Sequence, residues 1–125
     1  VDLAKWSLAI AKHILGLVGI EYHAVEEITN GFKVNELWQI DQATIHDVRK
    51  AGFKIHKLAR ENDSEIQKAA LRVVGHAVAS GHMREHTMVA SDYAIKTINL
   101  LGPNDFDAVK KERAWQLNEL KKFHA

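Results

Sequence analysis

The chain has 125 residues, 46% of them hydrophobic, a formal net charge of +1 and no cysteine. This length is enough for a buried core, so we expect a single domain over residues 1–125. The balanced charge lacks the basic footprint of a nucleic-acid-binding protein. The absence of cysteine excludes disulfides, thiolate metal sites and cysteine nucleophiles, and it is typical of a reducing compartment such as the cytoplasm.

The N-terminal segment has apolar residues at helical spacing, which predicts a first helix from Asp2, as its N-cap, to about Val18. Two lysines and a histidine interrupt this apolar run, so it is too short and too charged to span a membrane. The chain begins at Val1 and not at Met, which predicts that residues precede it, and a removed signal peptide stays among the alternatives.

The next segment predicts two helices. A short one lies near Glu21–Thr29, because Asn30-Gly31 is a typical C-terminal stop. We expect Asn35 to cap a long helix that runs to about Glu61. Its predicted buried stripe consists of Leu37 or Trp38, Ile45, Val48, Gly52, Ile55 and Ala59.

The stretch from Leu71 to Ile95 is the most unusual part of the chain. Between Arg72 and Arg84 it carries no side chain charged at neutral pH, and its small residues are Gly75, Ala77, Ala79, Ser80 and Gly81. This pattern predicts a helix, capped by Ser64, that is apolar nearly all round and lies in the middle of the fold. We expect a break at Arg84-Glu85, although a helix that continues through His86 is an alternative.

The C-terminal part predicts a helix that ends at Leu101, because Gly102-Pro103-Asn104 is a strong turn signal. Asp105 is then the expected cap of a last helix, Phe106–Phe123, whose predicted buried residues are Phe106, Val109, Leu117 and Leu120. The whole pattern predicts an all-α, single-domain bundle of five or six mostly antiparallel helices around the central small-residue helix.

Histidines offer one candidate site, a metal centre. If the chain turns near residue 63, His82 lies level with His46 and His76 lies near Lys50. A second turn near residue 84 brings His82 beside His86, so that His46, His82 and His86, with a nearby carboxylate, would suit Zn or Fe.

The sequence does not support that chemistry strongly. It contains no HExxH motif and no paired Glu-x-x-His motif. Buried imidazoles that hydrogen-bond within the core explain these histidines, including His56, more simply. A catalytic triad of Ser80 or Ser91 with His76 and Asp92 would lack a nucleophile elbow and an oxyanion hole. We therefore predict no catalytic residues, no cofactor and no metal, and keep the metal-binding bundle, of hydrolase or oxidase type, as the alternative.

Two surface features indicate a protein partner. Cations crowd one side of the predicted long helix, where an acidic partner would be attracted: Arg49, Lys50, Lys54, Lys57 and Arg60. Trp38 and Trp115 are candidate interface anchors if they are partly exposed. A solvated helix face explains the cations more simply, because Asp47 and Glu61 lie among them. Ordinary core packing explains the two tryptophans at least as well.

Several segments together resemble a known family. They are Gly75-His76-Ala77-Val78-Ala79, then His82, His86 and Tyr93-Ala94, and finally Glu112-Arg113-Ala114-Trp115-Gln116-Leu117. The chain resembles, over roughly Leu3 to Leu120, the immunity-five-like family of bacterial polymorphic toxin systems.

This resemblance implies an all-α protein that binds and neutralises a cognate toxin protein in the producing cell. It supplies no catalytic set. We therefore expect a cytoplasmic, non-enzymatic protein that acts by protein–protein binding, with no nucleic-acid or membrane partner. Whether the chain forms a homo-oligomer is left open.

Overall fold

The computed structural model describes residues 1–80 and 84–123. Within these ranges the chain forms six α-helices and no strand, which confirms the predicted all-α bundle. The helices are α1 (Asp2–Leu17), α2 (Glu26–Gln39), α3 (Ile45–Arg60), α4 (Glu65–Val78), α5 (Arg84–Leu101) and α6 (Phe106–Phe123), with a 3₁₀ turn at Tyr22–Ala24. No helix in the part of the chain that the structure describes is both long and apolar enough to cross a membrane.

Helix α4 is the centre of the bundle. It packs between α3 and α5, and another side of it contacts α1. Most of its residues are buried: Ala69, Ala70, Leu71, Val73, Val74, Gly75, Ala77 and Val78. The predicted cap is confirmed, because the Ser64 hydroxyl accepts a hydrogen bond from the Gln67 N–H at 3.2 Å.

The end of this central helix differs from the prediction. Helix α4 ends at Val78, and Arg84 already belongs to α5. The helix through His86 and the break at Arg84-Glu85 were therefore wrong. The residue directly after the cap residue Ala79 is Ser80 and not a glycine. At this end the backbone N–H groups of Ala79 and Ser80 bond back to the carbonyls of the last turn.

The N-terminal helix has the predicted extent but not the predicted cap. Helix α1 ends at Leu17, next to the expected Val18, whereas Asp2 lies inside its first turn and Val1 occupies the cap position without a side-chain bond. An acidic residue in the first turn still interacts favourably with the helix dipole.

Helix α2 contradicts the predicted stop and the predicted cap. It continues through Asn30-Gly31 and Asn35 to Gln39. Gly31 is buried, and a Cβ there would lie 2.8 Å from Ile55 Cδ1, so glycine permits the close approach of α2 and α3. Asn35 is fully buried, and its Nδ2 donates to the Val78 carbonyl at 2.8 Å. Tertiary packing thus overrides both local signals.

Helix α3 therefore begins later than predicted. Thr44 is its N-cap: the Thr44 hydroxyl accepts from the Asp47 N–H at 3.1 Å, and the Asp47 carboxylate accepts from the Thr44 N–H at 2.9 Å. This reciprocal pair is a capping box. Most of the predicted stripe is buried, namely Val48, Gly52, Ile55 and Ala59. Ile45, at 38% exposure, was wrongly included.

Helix α6 has the predicted bounds and the predicted cap, since the Asp105 carboxylate accepts from the Ala108 N–H at 3.0 Å. Its predicted apolar face is only partly correct. Phe106 and Leu117 are 79% and 53% exposed, whereas the two fully buried positions are Glu112 and Gln116. The predicted Val109 and Leu120 do pack against the core. The inner face of α6 is therefore mixed, with a polar part whose side chains form a hydrogen-bond network with α1 and α5.

Candidate functional site

Three imidazoles join the three most closely packed helices. This imidazole cluster consists of His56 on α3, His76 on α4 and His86 on α5. The rings of His56 and His76 meet edge to face with centroids 4.6 Å apart, and the Nδ1 atoms of His76 and His86 are 3.3 Å apart. Tyr93 stacks on His76 with an interplanar angle of 14°. The small residues of α4 allow this close contact.

His56 depends on a glycine. A Cβ on Gly75 would lie 2.6 Å from His56 Cε1, nearer than real Cβ atoms approach a neighbour. The ring is also oriented by Arg72, whose Nη1 donates to His56 Nδ1 at 2.8 Å. That bond requires Nδ1 to be an acceptor, so the neutral ring carries its proton on Nε2.

Burial makes the imidazoles of His56 and His76 weak bases. Burial, the largest cause, together with neighbouring imidazoles and the Arg72 guanidinium, lowers the pKa of each ring from 6.5 to about 4. Both rings are therefore neutral at pH 7. Neutral rings can pack and exchange single hydrogen bonds, so this geometry suits cross-linking of α3 and α4.

The structure does not bring the proposed metal ligands together. His46 is exposed in the first turn of α3, ten residues from His56, which corresponds to about 15 Å along the helix. His86 lies in the imidazole cluster, beside His76 and not beside His46. His82 lies outside the described residues. Among the described residues, no group of three histidine or carboxylate side chains is arranged to hold a metal ion.

The triad candidates form hydrogen bonds with groups outside the triad. The Ser80 hydroxyl donates to the Ala77 carbonyl at 2.6 Å, and the Ser91 hydroxyl donates to Gln116 Oε1 at 2.6 Å. Asp92 accepts from the Arg113 guanidinium at 3.1 Å. These serines and this carboxylate have partners other than His76.

A second polar cluster lies where α6 contacts α1 and α5. This Glu112 network consists of Glu112, Gln116, His13, Ser91 and Arg113. Glu112 is only 4% exposed, and its Oε1 is 2.7 Å from His13 Nε2 while its Oε2 accepts from Gln116 Nε2 at 3.3 Å. Arg113 Nη1 donates to the Ser91 hydroxyl at 2.8 Å. A buried carboxylate thus receives donors from two helices.

Two tryptophans complete this region. The ring of Trp115 stacks on His13 with centroids 3.7 Å apart, and Trp6 Nε1 donates to the Gln116 carbonyl at 2.7 Å. Trp115 is therefore half-buried and engaged with α1. Sequence analysis missed this network; the available signal was the polar pair Glu112 and Gln116, spaced four apart on one face of a helix.

The outer side of α3 is strongly charged. We call Arg49, Lys50, Lys54, Lys57 and Arg60 the α3 basic face; all five are exposed. None of them forms an ion pair with another residue in the described ranges. Phe53, on the same side, is 63% exposed. Trp38, near the end of α2, is half-buried.

A family model described as "Imm-5 like putative immunity protein" matches residues 1–123. The chain belongs to this family. No curated protein and no solved structure matches the chain.

In this Imm-5-like chain, several residues of the segments that resemble the family lie in contacts between helices. Gly75, His76 and His86 belong to or adjoin the imidazole cluster, and Trp115 covers His13 of the Glu112 network. His82 lies outside the described residues. The motif residues that the structure describes therefore join helices, and the exposed α3 basic face is the better candidate for contact with another molecule.

Proposed function

We propose that this immunity-family protein binds a cognate bacterial toxin and neutralises it by protein–protein contacts, in the cytoplasm of the producing cell and without catalysis of its own. Membership of the immunity-protein family supports the general role. The observation that carries the binding proposal is the α3 basic face, whose five cations have no ion pair within the described residues.

The physical argument concerns charge and rigidity. Exposed cations that form no ion pair attract a partner of opposite charge and accelerate its association. The helix that carries them is anchored by fully buried residues such as Ile55 and Ala59. A binding surface on a well-packed helix loses little conformational entropy when its partner docks.

Co-expression with the toxin encoded beside this gene tests the proposal. Cells that produce the toxin should stop growing, and cells that also produce this protein should continue to grow. The two purified proteins should elute together in size-exclusion chromatography. An unrelated immunity protein at the same expression level is the control, and growth arrest despite abundant folded protein would contradict the proposal.

A further inference from the structure

We infer that the partner presents an acidic protein surface to the α3 basic face and receives Phe53 in an apolar pocket. This inference rests on the proposed function and specifies the chemistry of the partner. It replaces Trp38 with Phe53 as the aromatic anchor.

Phe53 lies in the middle of the cations. Arg49 and Lys50 precede it by four and three residues, and Lys57 follows it by four, so helical spacing places all three beside it on one face. Phe53 is 63% exposed, whereas the core aromatic residues Trp6 and Phe32 are 6% and 4% exposed. An aromatic ring left in solvent among cations has the composition of an interface anchor with a charged surround.

The charge of α3 is unusual for a solvated helix face. Its sequence contains five Lys and Arg residues and a single acidic residue, Asp47. That carboxylate is occupied as part of the N-terminal capping box. Since the whole chain has a net charge of only +1, the residues outside α3 are net negative. Positive charge is therefore concentrated on this face.

Two lysines on other helices form ion pairs with acidic neighbours: Lys68 pairs with Glu65 at 3.6 Å and Lys122 pairs with Glu119 at 2.8 Å, each within one helical turn. On the α3 side, Asp47 precedes Lys50 by three residues and Glu61 follows Lys57 by four, but neither forms an ion pair with these lysines within the described residues. Five cations thus have two carboxylates beside them, so the α3 basic face keeps a net positive charge, and carboxylates from a partner would compensate it.

A neighbouring cavity favours a protein partner over a nucleic acid. It has a volume of about 270 Å³ and lies between α2 and α3. Its lining has an apolar part, Val34, Leu37, Ala43 and Ala51, and a polar part, Asn30, Gln42, Asp47, Lys50 and Lys54, in which the two lysines outnumber the one carboxylate. An apolar side chain of the partner fits beside the aliphatic part of this lining, and flanking carboxylates reach the two lysines. A nucleic acid has no such apolar side chain, and the net negative remainder of the molecule would repel an extended polyanion.

Three variants and a matched control test the inference. Phe53→Ala removes the anchor, and Phe53→Asp replaces its apolar ring with a carboxylate. The pair Arg49→Glu with Lys57→Glu reverses the charge around it. Lys110→Glu with Lys121→Glu makes the same charge change at exposed positions of α6. Because every substituted side chain is exposed, we expect unchanged circular dichroism and melting temperature.

The measurement is the Kd for a toxin variant that no longer arrests growth, by titration calorimetry at low and at moderate salt. Phe53→Ala should weaken binding about 30-fold, the typical loss for an interface anchor. The charge-reversed α3 pair should weaken it at least 100-fold at low salt, less at moderate salt, and the α6 pair should stay within about threefold.

The outcomes separate this inference from the proposed function. If the wild-type protein neither binds the toxin nor protects cells, both fall. If it protects and the α3 variants bind within threefold of it, the inference is wrong and the function stands. If the charge-reversed α3 pair loses binding and Phe53→Ala does not, Phe53 is not the anchor. Tight wild-type binding to a 20-base-pair DNA duplex, abolished by the same charge reversal, would overturn the choice of a protein partner.

Discussion

Two regions of this protein bury histidine rings between helices, but with opposite neighbours. In the imidazole cluster His56 and His76 face other imidazoles and the Arg72 guanidinium. In the Glu112 network, His13 faces a carboxylate that is only 4% exposed. The same side chain is thus held in two physically different ways.

The difference lies in what each arrangement requires. The rings of His56 and His76 are neutral at pH 7, since burial and nearby cations disfavour their charged form. They are held by close fit against α4. Glu112 instead requires donors, because a buried carboxylate without hydrogen bonds is costly. The first region should therefore respond to pH and to added volume, and the second to loss of a single acceptor.

The largest expected effect is the loss of Glu112. Glu112→Ala removes the acceptor for His13 Nε2 and for Gln116 Nε2. The free energy of unfolding, measured in urea, should fall by about 2–5 kcal/mol, because two donors lose their acceptor at about 1–3 kcal/mol each. Helix α6 should lose amide protection first, since this network ties it to α1.

Two further variants isolate the effect of burial. Glu36→Ala removes a carboxylate of an exposed pair, 3.9 Å from Lys12, and should cost less than about 1 kcal/mol. Glu112→Gln keeps an acceptor for His13 and should cost less than Glu112→Ala. Equal losses for Glu36→Ala and Glu112→Ala would show that the buried network contributes nothing beyond an exposed pair.

The next effect in size is a pH dependence of the imidazole cluster. The pKa of His56 and of His76 is about 4 in the folded protein, against about 6.5 in an unfolded chain. Between these values the unfolded chain binds more protons, so stability falls as pH decreases from about 6.5 to about 4. The loss for the two rings together should be roughly 2–4 kcal/mol, since partial exposure screens some of the charge.

Urea unfolding at several pH values measures this loss. His76→Gln removes one titrating ring, so it should flatten the dependence between pH 6.5 and pH 4. The lowered carboxyl pKa values of Glu21 and Asp47 act below this window, because these groups ordinarily titrate near pH 4. A wild-type protein equally stable at pH 7 and pH 4.5 would show that the rings accept protons without cost.

Local signals predicted much of the fold. The caps Ser64 and Asp105 were identified because cap chemistry involves residues three apart in sequence. Gly31 and Asn35 were misread because their partners, Ile55 and Val78, are distant in sequence. A glycine that permits helix contact and a glycine that ends a helix look alike in a sequence.

The candidate sites were harder to predict, because they depend on helix register. The expected neighbour of His76 was Lys50, whereas the observed neighbour is His56, six residues further along α3, or about 9 Å. The turn position alone did not determine this register, since small residues such as Gly75 decide where α3 can approach. The α3 basic face could be recognised from spacing, but the exposure of Phe53 could not.

The smallest expected effect tests how closely the imidazole cluster is fitted. Gly75→Ala places a methyl group 2.6 Å from His56 Cε1, and the ring cannot move without losing its bond to Arg72. The net loss should be about 1–2 kcal/mol, because overpacking costs more than alanine gains in helix propensity. Gly16→Ala, where nothing lies within 4 Å of the new carbon, should instead stabilise the protein by up to about 1 kcal/mol. In a His56→Ala background the obstructing ring is gone, so Gly75→Ala should become neutral or stabilising, and an unchanged cost there would show that the close fit of His56 is not the cause.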